Sequence, residues 1–140
     1  MWASLVLCAT PVMLLLSVAQ RPPPPSGKYF KIVFEPTDCI EVDFLPCEAA
    51  ADVSLFFVCV DHDETSDDLS VVETHPFYYQ VAPDSIPAYE NFISRVDAEC
   101  PYDVQNGDLK TFDYDYGANT VTVKLEGNPV TLNKGSCYEG

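Results

Sequence analysis

From Tyr29 to Phe34 the chain alternates like a half-buried strand, with Phe30, Ile32 and Phe34 on one face. Glu35-Pro36-Thr37-Asp38 supplies a turn, and Cys39 to Phe44 repeats the pattern. There Ile40, Val42 and Phe44 point inward, Glu41 and Asp43 point outward, and Cys39 shares the outward face. Residues 53–60 are apolar on both faces, as in a central strand covered from two sides. Asp61 to Asp68 is polar and acidic throughout and reads as a surface loop. Leu69 to Val81 is rich in β-branched and aromatic residues, with Pro76 marking an edge or bend.

The period then changes. Tyr89, Phe92, Ile93, Val96 and Cys100 recur at helical spacing, Asp84 and Ser85 stand where caps belong, and Pro87 suits a first turn. These signals predict one amphipathic helix near residues 87–99, its apolar stripe on a sheet and Cys100 stapling its end. Pro101 stops it, and Gln105-Asn106-Gly107-Asp108 forms a turn. Leu109 to Tyr116 places Phe112, Tyr114 and Tyr116 on one face and Thr111, Asp113 and Asp115 on the other. A closing hairpin sets Val121, Val123 and Leu125 against Val130 and Leu132 across Gly127-Asn128-Pro129. The expected class is α+β, predominantly antiparallel, with about six or seven strands in a sandwich or barrel and one helix before the last three.

Composition adds a compartment. Met1 to Ala19 carries no charged residue and holds an apolar block that ends in Ser17-Val18-Ala19, the anatomy of a cleavable secretory signal. Arg21-Pro22-Pro23-Pro24-Pro25-Ser26-Gly27 follows as a polyproline spacer, so the expected organisation is a signal over 1–19, a spacer over 20–27 and one disulfide-stabilised domain over 28–140. Beyond Cys8 in the signal stand Cys39, Cys47, Cys59, Cys100 and Cys137, which in an oxidising compartment pair and leave one over. Cys39, Cys47, Cys100 and Cys137 are the disulfide candidates. Cys59, inside the run Leu55 to Val60, is the candidate for a free thiol or an intermolecular bridge.

Charge narrows the partners. With 22 acidic against 7 basic residues the formal net charge is −15, which disfavours nucleic acid and anionic membrane surfaces. The same field favours encounter with a basic protein. Phe112-Asp113-Tyr114-Asp115-Tyr116 sharpens this expectation, because tyrosines among acids suit sulfation in the secretory pathway, and Asp113, Tyr114, Asp115 and Tyr116 become the candidate partner-binding residues. No N-glycosylation sequon occurs.

Chemistry is excluded more readily than it is assigned. His62 and His75 are the only histidines, and no nucleophile elbow, phosphate-binding glycine loop or dinucleotide fingerprint is present. No catalytic, cofactor-binding or metal-ligating residue is assigned, and the expectation is a protein that is not an enzyme. Asp61, Asp63, Thr65 and Asp67 have the alternating oxygens of a calcium loop, yet Ser66 and Val72 stand where glycine and a bidentate glutamate belong. Cys100-Pro101, two strands and the late Cys137 resemble the end of a lipid-binding ML domain. The early paired cysteines of that family are missing and Cys59 has no counterpart, so no functional residue is carried across. Two alternatives stand beside the basic-protein binder. One is a carrier of a small apolar ligand with a lipocalin-like or ML-like pocket lined by Phe30, Phe44, Phe57 and Phe112. The other is a structural coat component or covalent dimer joined through Cys59.

Overall fold

A computed structural model of the protein describes residues 21–60 and 62–138; the signal expected over 1–19 lies outside them. The strands are β1 (Gly27–Phe34), β2 (Asp38–Phe44), β3 (Val53–Cys59), β4 (His62–Thr65), β5 (Val71–His75) and β6 (Tyr78–Val81), then helix α1 (Ile86–Glu99), then β7 (Thr111–Asp115), β8 (Thr120–Leu125) and β9 (Asn128–Lys134). All pairings are antiparallel and form one sheet in the order β4-β3-β2-β1-β9-β8-β7-β6-β5. The sheet curls into a half-barrel. Its seam is drawn together where Leu69 bridges to Val53 and where Asp52 Oδ2 accepts the Val71 N–H at 2.9 Å.

The class and the helix agree with the sequence, but the strand count is higher. His62–Thr65, read as loop because it holds no apolar residue, pairs with β3 as an exposed edge strand. Charged, short edges of this kind resist pairing with other chains. Leu69 to Val81 is two strands, folded back at Pro76-Phe77.

The phase expected for β1 is reversed. Tyr29 faces inward opposite Val42, its ring 5.8 Å from that of Phe44, while Phe30 lies on the outer face and Phe34 is 68% exposed. The row of Tyr29 and Val33 also holds the exposed Lys31, so alternation favours Phe30, Ile32 and Phe34; pairing with the inward row of β2 turns Tyr29 in instead. In β2 and β3 the inward rows are Ile40, Val42, Phe44 and Val53, Leu55, Phe57, Cys59, all buried.

Helix α1 packs beside β4 and buries Tyr89, Phe92 and Val96. Phe92 is fully buried, and such a ring stabilises by about 1.5–3 kcal/mol. Ser85 stands at the N-cap, but its Oγ accepts the N–H of Ser70 at 2.9 Å rather than capping the helix. Cys100 at the helix end bonds to Cys59, and Cys39 bonds to Cys137. The free thiol expected at Cys59 is therefore corrected: its side chain points inward from the last residue of β3 to meet the end of α1. Cys47, in the link between β2 and β3, is not free either, and among the described residues no cysteine is.

After β9 the chain crosses the outer face of β1, β2 and β3. There Glu41, 7% exposed, accepts hydrogen bonds from Ser136 Oγ at 2.9 Å and the Cys137 N–H at 3.0 Å. The ring of Tyr138 lies 5.5 Å from that of Phe56. Among the described residues Glu41 is one of four buried acids, with Asp38, Asp52 and Asp108, and each accepts at least one backbone N–H. Part of the acidity thus serves as internal clasps, consistent with the rule that buried charge must be paired or hydrogen-bonded.

Candidate functional site

β7 is held between β6 and β8, with Asp113 opposite Tyr78 and Thr122, and Asp115 opposite Thr120. Alternation turns Phe112 and Tyr114 inward and leaves Asp113 and Asp115 exposed. Beyond Asp115 the chain reverses through residues 116–119. Asp115 Oδ1 accepts the Ala118 N–H at 3.2 Å, and Asn119 takes a left-handed backbone, φ 54°, which asparagine tolerates well. Tyr116, just past the end of the strand, is 50% exposed, with its ring 6.4 Å from that of Tyr114. Asp113, Asp115, Tyr116, Thr120, Thr122 and Thr131 line an open concavity of about 750 Å³.

Of the four residues expected to meet a partner, three are exposed, and the fourth, Tyr114, borders the same concavity but is largely buried. Tyr114 is 8% exposed, with its ring 6.3 Å from Tyr29 and 5.7 Å from Phe77. Its hydroxyl and that of Tyr29 both donate to Asn119 Oδ1, at 3.4 and 2.7 Å. Burial, followed by the proximity of Tyr114, pushes the Tyr29 phenol up to about 12, so this hydrogen-bond donor persists across the physiological range. Tyr114 is a core residue that supports the turn, and Tyr116, expected on the same face, meets its ring edge to face at 6.4 Å while remaining half exposed.

The residues expected to line an apolar pocket do not share one cavity. Phe44, Phe57 and Phe112 are buried, the first and last meeting edge to face at 6.1 Å, while Phe30 lies on the opposite side of the sheet. The covalent dimer or coat assembly through Cys59 has no thiol at that position. Among the described residues no three His, Cys, Asp or Glu side chains gather as a metal site, and no helix is long and apolar enough to cross a membrane.

Sequence reasoning passed over one cluster. Arg21, expected in a spacer, pairs with Glu73 on β5 through both guanidinium nitrogens, at 2.6 and 3.3 Å. The partners lie 52 positions apart, so only the folded sheet brings them together. Comparison with protein-family models, with curated proteins and with solved structures finds no match to this chain.

Proposed function

We propose that this chain is a secreted, acidic binding protein, not an enzyme, that engages a basic extracellular protein through the outer face of β7 and the turn after it. The observation that carries this reading is the shared exposure of Asp113, Asp115 and Tyr116 on one open concavity. An aromatic ring flanked by carboxylates suits the guanidinium and ammonium groups of a basic surface. The net charge of −15 would speed the encounter at low salt. Secretion is supported by the uncharged apolar opening of the sequence and by two disulfides in the described residues. Tyr116, not Tyr114, is the tyrosine that a sulfotransferase would reach, and a sulfate there would add acceptors to the same face.

The test is a panel of basic secreted proteins measured against the purified protein at low and physiological ionic strength. Binding that weakens with salt, and that drops on Asp113→Asn with Asp115→Asn, supports the reading. Salt-insensitive binding, or none in the panel, removes it. Intact mass of the natural product reports on Tyr116: an added sulfate strengthens the case.

A further inference from the structure

At one end of the half-barrel the β5–β6 turn, the β7–β8 turn and the start of β1 converge, as the Phe77–Tyr114 and Tyr29–Asn119 contacts show. Glu73 opens inside this end with its side chain only 11% exposed. Its Oε2 accepts the Phe77 N–H at 2.8 Å, which fixes the carboxylate toward the mouth. Arg21 fills that mouth. Its guanidinium binds both Glu73 oxygens and sits 4.6 Å over the centre of the Phe77 ring. Pro25, four residues on, is buried.

Beneath this pair lies a group that the fold leaves unused. Tyr79, fully buried on β6, has a hydroxyl with no hydrogen-bond partner among the described residues. Glu73 and Tyr79 are directly opposite each other across β5 and β6, and burial first, then the charge of Glu73, push the phenol upward. A buried, unmade hydrogen bond is a defect native cores seldom carry without a role.

We propose that Glu73, Phe77 and Tyr79 form a binding site for an organic cation, a guanidinium or primary ammonium group, and that Arg21 occupies it as a tethered stand-in for that ligand. A carboxylate neutralises the charge, an aromatic face holds the cation by its quadrupole, and a phenol oxygen accepts a further N–H from a group seated deeper than Arg21. Arg21 is suited to leave. Its side chain is 51% exposed, and it hangs on a proline-rich stretch outside the sheet. Being on the same chain, it competes at high effective concentration, so any ligand meets a site already filled. This proposal does not depend on the acidic face of β7. The small probes below carry no protein surface, and failure of either reading leaves the other standing.

The test titrates the wild type and Arg21→Ala with N-butylguanidinium, with n-butylammonium and with the neutral isostere N-butylurea, following the Phe77 amide resonance. Arg21→Ala is expected to bind the cations about tenfold or more tighter than the wild type does, since the competing state is removed. The urea should leave the resonance in place. Added to Arg21→Ala, Glu73→Gln should abolish binding and Tyr79→Phe should weaken it several-fold. Tyr79→Phe should also leave the fold as stable or more so, which separates a ligand-facing hydroxyl from a structural one. A peptide Gln-Arg-Pro-Pro supplied in trans distinguishes the source: tighter binding of the peptide points to an arginine presented by a polypeptide, and tighter binding of butylguanidinium points to a free small cation. The proposal is overturned if Arg21→Ala responds no more than the wild type, if the urea binds equally, or if both pocket variants bind the cations undiminished.

Discussion

The Tyr102 hydroxyl donates to Asp38 Oδ2 at 2.6 Å, tying the loop after α1 to the first residue of β2. Asp38 Oδ1 takes the Val60 N–H at 3.1 Å and the Thr37 hydroxyl at 3.0 Å, so one buried carboxylate joins three segments at one end of the sheet. The Tyr102 ring packs 5.3 Å from Phe57. Tyr102→Phe keeps that packing and removes the hydroxyl alone. The expected loss is about 1.5–3 kcal/mol, the range for a hydrogen bond to a charged group, read from the urea midpoint at unchanged m-value.

Acid should act through the same carboxylate. Burial pushes Asp38 upward, but the hydrogen bonds from Tyr102, Val60 and Thr37 outweigh it and hold the carboxyl below its ordinary value. Glu73 behaves alike: burial raises it, and Arg21 with the Phe77 N–H lowers it further than burial lifts it. A carboxyl depressed in the folded state contributes fully above its unfolded value, about 4, and loses that contribution as pH falls through the lower folded value. Stability should therefore decline below about pH 4. Asp38→Asn should be less stable at neutral pH and show a shallower decline in that window, measured by denaturant unfolding across pH.

Asp108 is 1% exposed and accepts three backbone N–H groups, from Gln105 at 2.8 Å, Glu126 at 2.6 Å and Gly127 at 3.0 Å. It pins the loop before β7 to the β8–β9 turn. Asp108→Ala strands these donors and should cost about 2–4 kcal/mol, with Asp108→Asn losing less because one oxygen remains. Hydrogen exchange should localise the damage: the amides of Gln105, Glu126 and Gly127 should lose protection before those of β2.

Proteolysis without reductant should yield linked peptides containing Cys59 with Cys100 and Cys39 with Cys137. Replacing Cys59 and Cys100 together by alanine should lower stability by about 2–4 kcal/mol, because the bridge constrains the unfolded chain and fastens α1 to β3. Thermal unfolding of the double variant checks this.

The parts legible in the sequence are those where one face alone is apolar. Residues 87–99, 111–115 and the closing hairpin carry a single period, and each forms the element that period predicts. β1 carries large apolar residues on both faces, with Lys31 beside Tyr29, and only its partner strand selects Tyr29 over Phe30. β4 has none, since His62, Asp63, Glu64 and Thr65 contribute nothing to the core and are placed by backbone pairing with β3. Asp38 and Asp108 fall in predicted turns, and nothing in the sequence marks them or Asp52 as buried, because burial of a polar side chain depends on which distant N–H groups converge on it. The candidate surface divides the same way. Asp113 and Asp115 face outward as alternation requires, and the Tyr116 ring stays in edge contact with Tyr114 at 6.4 Å but is half exposed because the strand ends at Asp115.

β9 lies beside β1, and the Gly135 N–H reaches the Lys28 carbonyl at 2.9 Å. A chain emerging from the ribosome therefore cannot complete its sheet until its final strand has been made, and Cys39 must wait 98 residues for its bonding partner. Topologies that depend on such distant pairings mature slowly and leave greasy strand rows uncovered in the interval. Until β9 is made, β1 remains an open edge of the sheet, and the buried row it shares with β2 and β3 lacks the neighbour that closes over it.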